Sequence, residues 1–376
     1  MNINKTCIII LGLAFVPGPV ISAGLRTTVR PEIEIGSERT GNVYQDYSAL
    51  PDQAGLLNVN IRSSIHYSPA IFSWWDYQLA LKKYSEYDFF DYNLHTLNGR
   101  INKNIGEWGG LELKTLYMLY QQPNYTVYNF SNLYILPEIK YYITDYTICK
   151  LGYAMSSVAY PQYILDYNSS GPSLKLTREF SLFTTLELDL LSAQKSYPEW
   201  QVFSGTSGVL SSDHQDANET ETGLTLAHAM QDGQAGCYYR HTLLDSNANF
   251  IDYGKDITFG TGDESLVGNY YNNYSQKFGA YIQYKILDKL SPLLSVYLKD
   301  TFYQSRLARN SSGNFTDEKR QDRNITGALS FTYPLAKTGG ASFDIKFSYS
   351  NENNASNDYF YTYINETIGL SFFCRL

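Results

Sequence analysis

Past its first two dozen residues the sequence has no apolar run near the ~18 residues that a membrane-spanning helix needs, which excludes a helical membrane protein. Cysteine is scarce. Cys7 lies in the N-terminal apolar stretch, leaving Cys149, Cys237 and Cys374, each on the apolar side of a strand-like segment. An odd three so placed is no disulfide framework, and they read as small buried or lipid-facing hydrophobes. Positive charge is not in excess: 29 Lys and Arg stand against 37 Asp and Glu. A nucleic-acid partner favours a basic face, and no such face is present. The five histidines, His66, His95, His214, His228 and His241, fall on separate segments. Ser211, Ser212, Asp213 and His214 adjoin, but in a stretch that reads as a flexible polar loop, which pre-positions no nucleophile and base. Metal-ligand spacing and phosphate-binding glycine loops are lacking. These absences point away from an enzyme, a cofactor and a resident metal.

What is abundant is aromatic: 35 Tyr and 19 Phe in 376 residues. The chain starts with Lys5, an apolar run from Cys7 to Val16 and small residues up to Ala23. That pattern reads as a secretory leader cleaved after Ala23. Pro17 and Pro19 oppose a continuing helix, and no Cys follows the cleavage point to suggest a lipoprotein. Two parts result: a leader, 1–23, and one domain, 24–376, with no linker or composition break inside it.

From residue 27 onward, segments of strict alternation recur. In 108–121, Leu111, Leu113, Thr115, Tyr117 and Leu119 alternate with Glu112, Lys114, Leu116, Met118 and Tyr120. In 341–350, Phe343, Ile345, Phe347 and Tyr349 alternate with Asp344, Lys346 and Ser348. Period two over such lengths means strands with one apolar and one polar face. The pattern predicts about sixteen strands (fourteen to eighteen): 27–38, 56–67, 74–86, 92–103, 108–121, 131–143, 146–157, 171–178, 181–194, 218–230, 234–245, 273–286, 290–304, 320–333, 341–350 and 358–374. Tight connections such as 144–146, 178–181, 231–234, 287–290 and 334–340 alternate with long polar ones at 39–55, 157–170, 195–217, 245–272, 305–320 and 350–358.

The last segment is DYFYTYINETIGLSFFCRL, Asp358 to Leu376. Ile364, Ile368, Leu370, Phe372, Cys374 and Leu376 share one face; Tyr363, Asn365, Thr367, Gly369 and Ser371 share the other. Thr367, Gly369 and Phe372 resemble the closing strand of bacterial outer-membrane β-barrel proteins. The departures are Cys374 in place of an aromatic and a terminal Leu376. Glu366 falls on the lipid side unless a bulge turns it inward. The resemblance extends over the mature chain at the level of the porin-like superfamily. It implies an all-β, antiparallel up-and-down transmembrane barrel with short periplasmic turns and long outer loops. It also implies location in the cell outer membrane of a Gram-negative-type bacterium. The implied partners are outer-membrane lipid and lipopolysaccharide, the barrel-assembly machinery (which reads the C-terminal strand) and small solutes.

If the apolar positions face lipid, the opposite set lines the lumen: Arg30, Glu32, Glu34, Arg62, Glu112, Lys114, Glu138, Lys140, Lys150, Lys175, Glu187, Asp189, Glu219, Glu221, Arg240, Lys277, Lys285, Asp344 and Lys346. An Arg or Lys facing lipid at the midplane costs about 2–4 kcal/mol, so their common phase is a sign of a wet or salt-bridged interior. The function expected is a porin-like channel for passive diffusion of small hydrophilic solutes, weakly ion-selective. The alternatives are a non-conducting surface barrel acting through its outer loops and the pore of a polysaccharide exporter. Asp252, Asp256, Asp263 and Glu264 in 245–272 read as a solvated acidic loop, and this loop is the candidate to fold into the pore.

Overall fold

The computed structural model describes residues 25–376 apart from 163, 205–208, 254–263, 268 and 287–288. The expected leader, 1–23, lies outside the described residues. Eighteen strands follow one another: β1 Arg26–Thr40, β2 Asp52–Ser68, β3 Ile71–Tyr84, β4 Tyr92–Ile105, β5 Gly109–Gln121, β6 Phe130–Thr144, β7 Thr147–Ala159, β8 Tyr167–Ser181, β9 Thr184–Ser204, β10 Val209–Met230, β11 Gly233–Ser246, β12 Phe250–Tyr253, β13 Glu264–Val267, β14 Asn273–Tyr284, β15 Ser291–Arg309, β16 Phe315–Thr338, β17 Ala341–Ser356 and β18 Tyr363–Arg375. Sixteen of them form a closed antiparallel barrel in sequence order. In it β11 pairs with β14, and β1 closes on β18 with Ile33 opposite Cys374 and Ile35 opposite Phe372. β12 and β13 make a separate hairpin inside the connection between β11 and β14. Closure leaves no barrel edge with unpaired backbone groups, which is the condition for strands to cross a bilayer.

Period-two alternation sorts the barrel strands into two faces. On one face large apolar side chains stand exposed: Ile35 at 60 %, Leu151 at 57 % and Phe372 at 52 %. On the other, Lys150 of β7 reaches across β6 to Glu112 of β5, Nζ to Oε2 3.1 Å. Side chains converge in this way on a concave surface and diverge on a convex one, so the charged face is the interior and the apolar face meets lipid. Tyr67, Trp108, Tyr141 and Tyr146 are exposed near the end of the barrel with the short turns, in keeping with an interfacial aromatic girdle.

The expected strand count and up-and-down order hold. At the end that also carries both termini, connections are short: 69–70, 106–108, 145–146, 182–183, 231–232, 285–290 and 339–340. The last is two residues, Gly339 and Gly340, both at positive φ (56° and 89°), where a side chain would strain the backbone. β16 therefore runs to Thr338, and the broader turn expected over 334–340 contracts to these two glycines. The other end carries 41–51, 85–91, 122–129, 160–166, 247–272, 310–314 and 357–362.

Several expected outer loops are instead strand. Most of 195–217 belongs to β9 and β10, and most of 305–320 to β15 and β16. Ser211 to His214 accordingly sit in β10 beside a register shift, not in a loop. The reason is solvent. Above the membrane both faces of a strand are wet, so hydrophobic alternation vanishes while the backbone ladder continues. At the C-terminus the final strand begins at Tyr363 and not at 358, because Tyr359–Tyr361 form a 3-10 turn capped by Asp358, whose side chain accepts from Phe360 N. Glu366 stays on the outward row, where its carboxylate accepts from Tyr349 Oη and Asn351 Nδ2, both at 3.2 Å.

Candidate functional site

The interior wall is the candidate site, and the register sets its chemistry. In the lower half, nearer the short turns, Glu112 is the hub. Its carboxylate lies 2.8 Å from Arg100 Nε, 3.1 Å from Lys150 Nζ and 3.6 Å from both Lys114 and Lys140. Glu138 adds a second carboxylate 2.8 Å from Lys114, and Lys140 donates to Asn102 Oδ1 at 3.3 Å. Four cations on two carboxylates, contributed by four consecutive strands, leave this stretch of wall with surplus positive charge.

Around the wall the remaining candidates fall into smaller groups. Lys175 bridges Glu187 at 2.5 Å and Asp189 at 3.4 Å. Glu221 pairs with Arg240, and Glu219 with Lys195. Glu34 accepts from Asn58 Nδ2 at 2.8 Å. Glu32 and Asp344 share Arg375 across the closing seam. Arg30 and Arg62 are cross-strand neighbours, and Arg62 Nε lies 3.7 Å from Asp76. Lys277 is the cross-strand neighbour of Arg240 on one side and Lys299 on the other, and its ammonium lies 4.1 Å from the Tyr297 ring centroid. Lys346 lies 5.9 Å from the Phe373 centroid. Lys285 follows the end of β14 and sits at the rim, its N–H donating to Asp232 O.

Sequence reasoning missed Glu38, Lys82, Arg100, Lys195, Lys299 and Arg375. Lys299 carried a usable signal, being in phase with the polar positions opposite Leu294, Val296 and Leu298. Lys195 fell in a stretch read as loop, and Arg375 one residue beyond the assigned final strand.

A second cluster of aromatic and basic side chains occupies the outer mouth, where Arg306 and Arg309 come from the expected loop 305–320 and Tyr361 from the expected final strand 358–374. Arg306 Nη2 donates to Tyr361 Oη at 2.7 Å, the Arg320 guanidinium lies 3.3 Å from the Tyr361 ring centroid, and Arg309 pairs with Asp358 at 3.1 Å. Burial pushes the Tyr361 phenol up, but the charges of Arg306, Arg320 and Arg309 outweigh it and hold the group below the ordinary tyrosine value. Of the acidic loop residues, Asp256 and Asp263 lie outside the described residues.

The barrel also has likenesses among solved structures. No family model matches the chain, and no curated protein matches it in sequence. A loop-deletion form of OmpT, an outer membrane protein of Vibrio cholerae, is 10% identical with a TM-score of 0.48, covering 94% of this chain and 100% of that one. OccK8 (OprE) of Pseudomonas aeruginosa is 10% identical with a TM-score of 0.42 over 93% and 98% of the two chains. OprD of the same organism is 9% identical with a TM-score of 0.39 over 93% and 95%. These likenesses carry no argument about function, which rests on the geometry of the wall.

Proposed function

We propose that the barrel is a passive channel of the outer membrane for small hydrophilic solutes. One observation carries the reading. Every ion pair described on the inner face joins elements no more than two places apart around the wall, such as Lys150 with Glu112 and Lys82 with Glu38. Among the described residues the charges brace the wall sideways, and no described ion pair bridges the lumen from one side to the other. A barrel of about sixteen strands is wide enough for an aqueous path, and a wall of mixed sign gives weak ion selectivity.

The reading includes export with cleavage after Ala23, delivery of the closing strand to the barrel-assembly machinery, and an outer rim set among lipopolysaccharide. It includes no catalytic role. His95 is engaged with Tyr77 Oη at 2.9 Å on the outward face, and His228 with Thr184 Oγ1 at 2.9 Å, each apart from the other histidines. The test is conductance of the purified, refolded chain in a planar bilayer in concentrated KCl. Stable steps on the order of a nanosiemens, as an aqueous pore of this strand number would carry, are expected. A silent bilayer, with heat-modifiable gel mobility proving the fold, sinks the channel and favours a surface barrel acting through its loops.

A further inference from the structure

An arc of aromatic side chains lines the inside of the outer mouth. Tyr92, Phe130 and Tyr167 are the first residues of β4, β6 and β8, and Tyr120 is the second-last of β5. Tyr160 follows β7, and Tyr197 lies in the outer part of β9. Ring centroids are 5.5 Å apart for Tyr92 and Tyr120, 5.4 Å for Tyr120 and Phe130, 5.5 Å for Phe130 and Tyr160, and 5.4 Å for Tyr167 and Tyr197. Beyond Tyr197 the arc runs on to Trp200 at 6.0 Å.

Membrane anchoring does not account for these rings. Girdle aromatics point at lipid, whereas the register places Tyr120 in phase with Glu112 and Lys114, and Tyr167 in phase with Lys175, on the inner face. Core packing does not account for them either, since each is only half-buried. The arc is bracketed by ion pairs: Lys82 with Glu38 beside Tyr84 at one end, and Lys195 with Glu219 beside Tyr167 at the other. Just below it on the same face, Ser156 donates to Asn132 Oδ1 at 3.0 Å.

We propose that this arc is a binding track for carbohydrate, a linear chain of neutral pyranose rings entering from the outer side. The proposal rests on the channel reading for its location. Aromatic faces carry negative quadrupole density, which suits the C–H faces of a sugar ring. The flanking carboxylates, ammoniums, amide and hydroxyl supply the donors and acceptors that its hydroxyls need. Within each of the two runs, Tyr92 to Tyr160 and Tyr167 to Trp200, successive rings are spaced on the scale of one sugar unit. A cationic ligand is disfavoured, because Lys82 and Lys195 already place positive charge at Tyr84 and Tyr167. A wholly apolar ligand leaves the polar fringe unused and desolvated.

Calorimetric titration of the full refolded chain in detergent with maltohexaose and cellohexaose tests this, with polyethylene glycol of matched mass as the ringless control. Saturable binding of at least one hexasaccharide, and none of the polymer, is expected. The pair Tyr120→Leu and Tyr167→Leu is expected to weaken it about tenfold or more, the loss of two ring contacts at the lower part of their range. The outward Tyr153→Leu leaves it unchanged. The pair Tyr92→Leu and Phe130→Leu repeats the test if the first pair fails to fold. No saturable heat from a heat-modifiable barrel, an equal response to the polymer, or full binding by the arc variants overturns the proposal. Conductance is read separately. A conducting barrel without sugar binding loses only the track, and a silent barrel that binds sugar loses only the channel.

Discussion

Lys150 and Glu112 are 38 residues apart in sequence and two strands apart in the wall, yet the Lys150 ammonium lies 3.1 Å from the Glu112 carboxylate. The Glu112 side chain has no exposed surface, and Arg100, Lys114 and Lys140 crowd the same two oxygens. One carboxylate thus holds four strands of the barrel against one another.

Removing it should therefore be costly. Glu112→Ala leaves the surrounding cations without their common partner. Breaking one side of a buried pair costs 3–5 kcal/mol, and because Arg100 and Lys114 keep partial access to water we expect a loss of about 3 kcal/mol, at the low end of that range. Urea unfolding followed by the heat-modifiable gel band measures it, and an unchanged midpoint contradicts the hub.

Lys277 and Lys299 face each other across β14 and β15 without a carboxylate among the described ion pairs of either. They are cations open to a permeating ion. Lys277→Glu with Lys299→Glu should shift the zero-current potential in a KCl gradient toward cation preference, with the fold retained. No shift places the rate-limiting stretch of the pore elsewhere.

The two faces of the closing strand make opposite predictions for one chemical change. Ile368 is 49 % exposed on the lipid row, and Thr367 beside it points inward. Ile368→Lys should cost about 2–4 kcal/mol, and Thr367→Lys roughly 1 kcal/mol or less. Equal losses in refolding experiments mean that the register is wrong.

Tyr361 offers a pH signature outside the bilayer. Its folded value lies below the ordinary 10.0 because three guanidiniums favour the phenolate. A depressed acid adds stability that appears as pH rises through the folded value, is complete above the unfolded one, and is lost on acidification. The wild-type barrel should thus gain melting temperature over Tyr361→Phe as pH climbs toward 10. Parallel profiles for the two proteins contradict the assignment.

Much of this architecture was legible in the chain. Period-two alternation in Leu111 to Tyr120 and in Ile364 to Leu376 is forced by a bilayer outside and water inside. From it follow the strands, their inward and outward positions and the alternation of short and long connections. The outer continuations of β9, β10, β15 and β16 were hidden because water on both faces erases the alternation. Pairing across the wall was hidden for a different reason. Which cation meets Glu112, and which aromatics come into line at the mouth, depend on the stagger of one strand against the next and on closure of β1 upon β18. Those are set by the summed fit of the whole barrel, and no local stretch of sequence encodes them. Alternation along each strand sets which of its sides meets water. The tertiary structure decided which residues on that side meet one another.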